Sequence, residues 1–345
     1  MAQINKPSEY FNTKLYTGNG STQSITGVGF QPDMVWIKDR GIDGDNHQIY
    51  DAIRGTTKSL QSNNTNAEIT FASGLTAFDS DGFSLGSEDQ HNGSSDPFVS
   101  WNWKANGAGV SNTDGSITST VSANTTSGFS IVQFTGTGAN ATVGHGLGVA
   151  PHQVVVKRLD GAGFQWMVFN KDVGNTYYLN WDDDGAFGGP SNNYWNSTDP
   201  TSSVFSVNTD TGMNASGGTY IAYCFANVKG FSKFGSYVGN GNADGTFVYT
   251  GFKPAFVMIK NTSAAENWYI LDNKRPSYNT NNYYIKPNVS DVEGTSTSLA
   301  TSLLSNGFKI ENSDTSMNTS GQTYIYMAFA EQPLVGTNGI PATAR

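Results

Sequence analysis

The sequence predicts an all-β protein, and three observations carry that prediction. Turn formers and strand formers dominate: there are 40 Gly, 35 Asn, 36 Ser and 35 Thr, against seven Glu. Asn, Gly and Ser favour turns, while Thr, Val, Tyr, Phe and Trp fit pleated strands. No stretch carries a convincing amphipathic helical period. The chain also repeats itself three times, at intervals of about 100 residues, which is the length of a β domain rather than of a solenoid unit. The expected fold is therefore three tandem β-sandwich or jelly-roll-like domains.

Each copy opens on a Gly-rich turn after an aromatic residue: Y-T-G-N-G at 16–20, F-T-G-T-G at 134–138 and Y-V-G-N-G at 237–241. Gly18, Gly136 and Gly239 are expected in tight turns there. A proline follows in each copy (Pro32, Pro151, Pro254) and precedes an apolar run ending in Lys38, Lys157 or Lys260. Proline suits the start of a strand, where a missing N–H does least harm. The runs 34–37 and 154–156 are continuously apolar, as in strands covered on both faces. The next aromatic or aliphatic run ends in Asp51, Asn170 or Asp272. Each copy then has a short Phe-containing strand, an Asn-led turn at 92, 214 or 318, and a closing strand. In the third closing strand Tyr324, Tyr326 and Ala328 should face one way, and Ile325, Met327 and Phe329 the other.

These matches divide the chain into a first domain at 1–105 with an N-terminal arm, a Gly/Ser/Thr/Asn-rich linker at 106–128, domains at 129–227 and 228–331, and a polar tail at 332–345. Within the linker, 115–121 has the composition to pair as a strand.

Composition excludes several function classes. A single cysteine, Cys224, excludes a disulfide scaffold and Cys-based zinc. A net charge of -9 with 19 scattered Lys and Arg argues against nucleic-acid binding. No apolar run reaches the length of a membrane span, so no membrane insertion is expected, and the N-terminal residues lack a signal-peptide core. Hydrophobic residues at 37 % suffice for a packed core.

The repeated polar positions are Lys38, Asp51, Lys157, Asn170, Lys260 and Asp272. If their strands form hairpins, lysine and acid meet across the ladder, as an edge ion pair or turn cap or as a repeated ligand site. Asn170 argues against a catalytic acid shared by all copies. No pair of Glu or Asp recurs with the spacing of a glycosidase site. The run 182–184 (three Asp) and the stretch 43–46 read as turns; neither has the spacing and closing Glu of a calcium loop. The four histidines lack H-E-x-x-H spacing, no G-x-S-x-G elbow is present, and the G-x-G stretches lack a following helix. No catalytic residue, metal site or cofactor is expected, and the chain is expected not to be an enzyme.

The second copy carries an aromatic loop with Tyr178, Trp181, Tyr194 and Trp195, beside Tyr177 and the amides Asn192, Asn193 and Asn196. Aromatic faces beside amides can bind a glycan; the alternative is packing between domains. Trp166 and Trp268 recur in register and belong to the core.

The patterns Y-T-G-N-G, G-F-x-P-x-x-V-x-I-K, D-G-F-S-L-G and the aromatic closing strand are carried here at 16–20, 29–38, 81–86 and 99–103. In these the chain resembles the tandem-repeat virion structural proteins, tail-fibre-like, of tailed bacteriophages infecting marine bacteria. The first copy departs from the others, with His47 where Trp166 and Trp268 stand. The resemblance implies a non-enzymatic structural component of a tailed-phage virion, a tail fibre or appendage contributing to host-surface attachment. The alternatives are a capsid decoration or head-fibre protein and a carbohydrate-binding, lectin-like module. Its partners would be other virion proteins, further copies of itself in a homo-oligomer such as a trimer, and a host-surface glycan. It would be assembled in the host cytoplasm and exposed on the extracellular virion.

Overall fold

Side chains alternate across a strand, so a strand covered on both faces feeds two cores. The closing strand Thr323–Pro333 does so. Tyr324, Tyr326 and Ala328 join one apolar cluster, and Ile325, Met327 and Phe329 join another. The closing strands of the other copies divide in the same way, and the architecture follows from that division.

The computed structural model describes residues 1–276, 278–336, 339 and 341–343. It is nearly all-β, with antiparallel sheets. The first third holds β1 (Phe11–Thr17), β2 (Gln23–Thr26), β3 (Met34–Asp39), β4 (Gln48–Asp51), β5 (Gly55–Leu60), β6 (Ile69–Thr70), β7 (Leu75–Asp79), β8 (Gly82–Leu85), the one-turn helix α1 (Asp89–Asn92) and β9 (Pro97–Trp103). The middle third holds β10 (Val110–Asn112), β11 (Ser119–Asn124), β12 (Phe129–Thr135), β13 (Ala141–Gly144), β14 (Gln153–Arg158), β15 (Met167–Asn170), β16 (Leu179–Asn180), β17 (Val204–Val207), α2 (Thr211–Asn214) and β18 (Thr219–Phe225). The last third holds β19 (Ser232–Val238), β20 (Phe247–Tyr249), β21 (Phe252–Asn261), β22 (Tyr269–Asp272), β23 (Tyr283–Tyr284), β24 (Gly294–Thr295), β25 (Thr301–Leu304), β26 (Gly307–Ile310), α3 (Thr315–Asn318) and β27 (Thr323–Pro333).

One strand order appears three times: β1-β9-β3-β4, β12-β18-β14-β15 and β19-β27-β21-β22. Each of these sheets is overlaid on one face by a smaller one: β2-β8-β7, β13-β17 and β20-β26-β25. The space between is filled by Val35, Ile37 and Phe83 in the first third, Val154, Val156 and Phe205 in the middle, and Val257, Ile259 and Phe308 in the last. The opposite faces of the three large sheets meet in one cluster that includes Trp36, Trp101, Val155, Tyr223, Phe256 and Met327. The three sheets thus enclose a common core. This departs from independent domains in tandem, and the reason is the doubly apolar strands: a sandwich standing alone would leave its second apolar face in water.

The stretch 106–128 is more than a linker, because β10 and β11 extend the middle sheet along the edge of β12 and bury Ile117 and Val121. Pro32 and Pro151 precede their strands, but Pro254 lies inside β21, where the ladder is bulged and tolerates a missing donor. The expected tail at 332–345 begins within β27, which runs to Pro333; its residues 337, 338, 340, 344 and 345 lie outside the described residues.

Candidate functional site

Each apolar strand ends in a buried lysine, and backbone carbonyls hold its ammonium. Lys38 Nζ donates to Asp39 O at 2.8 Å; Lys157 Nζ donates to Phe164 O at 2.6 Å and Thr65 O at 3.4 Å; Lys260 Nζ donates to Asn261 O at 2.7 Å and Asp184 O at 3.0 Å. Burial disfavours the charged form. It lowers all three lysines, Lys157 and Lys260 to about 8, against the pull of nearby acids.

The lysines and the acids do not meet across the ladder. Asp51 stands opposite Met34, Asn170 opposite Gln153 and Asp272 opposite Phe256, at the far end of each hairpin from the lysine. The antiparallel register fixes this: the two polar positions both fall on late residues of their strands, and antiparallel strands put late residues at opposite ends.

Asp51 and Asp272 instead begin tight turns that return an arginine to them. Asp51 accepts from Arg54 Nε at 2.5 Å and from Tyr223 Oη at 2.8 Å. Asp272 accepts from Arg275 Nε at 2.6 Å and from Trp101 Nε1 at 3.1 Å. Burial pushes the Asp272 carboxyl up, but Arg275 and the backbone donors of Lys274 and Arg275 outweigh it and hold it below its ordinary value. At the third position Asn170 takes only the N–H of Asp172 and a contact with Gln153, and Val173 stands where the arginines stand. The neighbouring strand there supplies Met327, which has no N–H or O–H donor and only lends its sulfur to Gln153 at 3.8 Å.

The donors Tyr223 and Trp101 come from different thirds than their acceptors, and other contacts repeat that relation. His47 Nε2 donates to Lys286 O at 3.1 Å, Trp166 Nε1 to Gln61 O at 2.9 Å, and Trp268 Nε1 to Asn180 O at 2.8 Å. These three side chains occupy matching positions; the first third donates to the last, the middle to the first, and the last to the middle. Trp36 Nε1 donates to His47 Nδ1 at 2.9 Å, which leaves the neutral ring its Nε2–H for Lys286. Burial and Lys38 depress the His47 pKa well below its ordinary value. Backbone bonds close the same circle: Glu68 N to Leu159 O, Glu266 N to Asp184 O and Glu293 N to Arg40 O. Arg40 also grips the Glu293 carboxylate with two bonds, at 2.7 and 3.0 Å.

Three asparagines expected only as turn formers are structural clamps. Asn92, Asn214 and Asn318 end α1, α2 and α3 and are fully buried. Their Oδ1 accepts the N–H of Asn19, Thr137 or Asn240 at 2.8–2.9 Å, and their Nδ2 donates to surrounding oxygens, among them Gly86 O, Asn208 O and Asn312 O. The Gly-rich turn is therefore pinned to the one-turn helix. Gly18, Gly136 and Gly239 serve this approach: a Cβ there would lie 2.0–2.4 Å from the carbonyl oxygen of Gly93, Ala215 or Thr319. The recurring Asn five residues before the start of each closing strand is the signal the sequence carries for this.

The aromatic loop does not form a sugar platform. Trp181 is 0 % exposed in the common core, 5.2 Å from Trp36 and 5.7 Å from Trp166 between ring centres. Trp195 is 1 % exposed in the separate core of the middle sandwich, against Phe169. A sugar ring needs an exposed aromatic face, and these tryptophans offer none. Tyr178 and Tyr194 are half-buried and pack on each other at 4.2 Å.

The acidic run 182–184 also acts locally. Asp182 Oδ1 accepts Trp166 N, Asp183 Oδ1 accepts Gly185 N, and burial pushes the Asp182 carboxyl up to about 6. Among the described residues no group of three or more His, Cys, Asp or Glu could hold a metal ion. His91 is pushed down to about 3 by burial and bonds Tyr50 Oη, and His145 bonds Thr201 O. A search of the curated proteins returned no match. A family model covers residues 6–333, nearly the whole chain, and the chain belongs to that family, described as a domain of unknown function (DUF7483).

Proposed function

We propose that the chain is a non-enzymatic structural component of a tailed-phage virion, built as a threefold internal repeat of β-sandwich units of about 100 residues. It would contribute to attachment to the host surface. The observation that supports this most is the closed circle of contacts between the thirds. Polar groups that a catalytic site would expose are buried and turned toward the neighbouring third, as with Lys157 on Thr65 O and Tyr223 on Asp51. The outcome is a rigid block presenting three similar outer faces, suited to several weak contacts at once.

A second reading is favoured by the same circle. One chain already supplies a threefold arrangement around its own core, so a single copy matches a threefold position on a capsid without forming a trimer. This is the decoration version of the virion role.

Quantitative mass spectrometry of purified particles tests both by giving copies per virion. Hundreds of copies would support capsid decoration. A few to a few dozen would support a tail appendage. Absence from the particle would overturn the virion role.

A further inference from the structure

The strand that carries each buried lysine is finished differently in the three thirds. The residues after Lys38, Lys157 and Lys260 are Asp39, Arg158 and Asn261, and they stand opposite Phe98, Tyr220 and Tyr324 in the ladder. In two of the thirds this residue supplies N–H donors to the one-turn helix beside it. Arg158 Nη1 donates to Thr211 O at 3.0 Å. Asn261 Nδ2 donates to Gln322 Oε1 at 2.6 Å and to Thr315 O at 3.3 Å. The opposing tyrosines reach the same carbonyls, Tyr220 Oη on Thr211 O and Tyr324 Oη on Thr315 O, both at 2.8 Å.

The first third keeps the acceptors and loses these donors. Asp39 Oδ1 takes Gly41 N and Ile42 N, as Asn261 Oδ1 takes Ser263 N and Ala264 N. Asp39 Oδ2 is therefore the counterpart of Asn261 Nδ2. It is fully buried and has no hydrogen-bond partner, a costly state for a carboxylate oxygen. Phe98 has no hydroxyl to offer. The carbonyl matching Thr211 O and Thr315 O is Asp89 O, and Asp96 stands where Gln322 does, just before the closing strand. A Cβ on Gly93 would overlap Asp96 Oδ2 and come within 3.0 Å of Asp89 O, so these two oxygens crowd one spot. Burial raises the Asp39 carboxyl and Asp96 adds to it, against Gly41 N, Ile42 N and Lys38. Lys38 does not fill the gap: its ammonium bonds the Asp39 main-chain oxygen, as Lys260 bonds that of Asn261.

We propose that a calcium ion fills this gap, held by Asp39 Oδ2, the Asp96 carboxylate and Asp89 O, with water oxygens completing its shell. Two carboxylates call for a divalent ion. Oxygen-only ligands of mixed kind suit calcium, whose coordination is flexible, better than magnesium, which demands a near-ideal octahedron. The ion does for the first third what Arg158 and Asn261 do for the others: it ties the end of the lysine strand to the one-turn helix. Asp39 and Asp96 lie far apart in the sequence, so no calcium-loop spacing announces them. The proposal rests on the equivalence of the three thirds and not on the virion role, so the particle measurement above leaves it standing or falling by itself.

The test uses the full chain, stripped of metal with EDTA and titrated with calcium chloride in a calorimeter. About one calcium ion should bind per chain. It should raise the Tm by mass action and slow amide exchange within 39–45 and 89–96. Magnesium chloride at the same concentration should raise the Tm less; an equal rise would overturn the assignment to calcium. Asp39→Asn installs the amide of the last third, which keeps Oδ1 for Gly41 N and Ile42 N and supplies the missing donor. This variant should fold, bind calcium about tenfold more weakly or worse, and unfold above the metal-free parent without calcium. Asp96→Gln, at a half-buried position, should weaken binding in the same way. Absence of binding by the parent chain would mean that a proton on Asp39 fills the gap, and would overturn the proposal. Binding that protects neither segment, or that is undiminished in both variants, would overturn it as well.

Discussion

Tyr223 donates its phenolic proton to Asp51 across the boundary between the middle and first thirds, at 2.8 Å, and both side chains are fully buried. Trp101 does the same for Asp272 at the matching boundary between the first and last thirds. In each case the acid already holds an arginine from its own turn, Arg54 or Arg275. The neighbour's donor thus completes the hydrogen bonding of a buried ion pair, the condition under which such a pair is tolerated. Tyr223→Phe removes that donor without changing volume. It should lower the unfolding free energy by about 1–3 kcal/mol, the cost of a buried acceptor left short of a partner. Urea denaturation checks this, and a midpoint equal to that of the parent chain would refute it.

The third boundary shows the same rule from the other side. Met327 supplies no hydrogen-bond donor, and the position facing it carries no charge and no arginine: Asn170 and Val173 stand there. Asn170→Asp should therefore destabilise by about 3–5 kcal/mol, the range for an uncompensated buried charge. Adding Val173→Arg should recover part of the loss. A double variant less stable than Asn170→Asp alone would show that the turn, not the partner, sets the preference.

Asn92, Asn214 and Asn318 carry the next prediction. Each satisfies backbone groups on two otherwise separate loops. Asn318→Ala leaves several buried groups unpaired and should cost about 2 kcal/mol or more. Asn318→Asp keeps the acceptor for Asn240 N and loses the donors, so it should be destabilised as well. Thermal unfolding of the two variants separates the roles; retention of the parent Tm by Asn318→Ala would remove the clamp.

These relations mark how far the sequence could be read. The strand alternation at 324–329, the doubly covered runs at 34–37 and 154–156, and the core placement of Trp166 and Trp268 follow from period and composition alone. The position of the polar residues did not. A lysine and an acid at similar offsets suggested a pair, yet register separated Lys38 from Asp51 by the length of the hairpin. Besides its own arginine three residues on, each acid takes a donor from another third, Tyr223 for Asp51 and Trp101 for Asp272, more than a hundred residues away, and no local pattern encodes that proximity. The common core was implied by strands apolar on both faces, but which surfaces would meet is a property of three sheets together. The aromatic loop misled because an amide-rich setting resembles a sugar site, while Trp181 turns inward from it.

Trp181 and Trp195 are predicted to matter for stability rather than for sugar. Both are fully buried, Trp181 against Trp36 and Trp166 and Trp195 against Phe169, so truncation to Ala opens a large cavity and should cost about 3–5 kcal/mol. Trp181→Phe and Trp195→Phe should fold. A glycan array probed with these Phe variants should give the pattern of the parent chain. A glycan bound by the parent and lost in a folded Phe variant would return these residues to a binding role.

The buried lysines give the chain a specific pH response. Lys157 and Lys260 titrate at about 8 in the folded chain, against an ordinary 10.5. Between those values the unfolded chain keeps protons that the folded chain has released, so stability rises with pH across that window. Below pH 8 both states are charged and the full cost of burying the ammonium is present. Asp182 acts at the acid end. Its folded value of about 6 lies above 3.8, so between these the folded chain holds a proton that the unfolded one lacks. Its contribution falls as pH rises through that range. Urea midpoints measured from pH 7 to 10 should increase, until the buried tyrosines reverse the trend. Tyr50 and Tyr223 have values raised by burial, so the unfolded chain loses their protons first above pH 10. Lys157→Met should flatten part of the rise between pH 8 and 10, whatever it does to stability at pH 7. An unchanged slope in that variant would mean that the Lys157 ammonium, held by Phe164 O and Thr65 O, is not penalised by its burial.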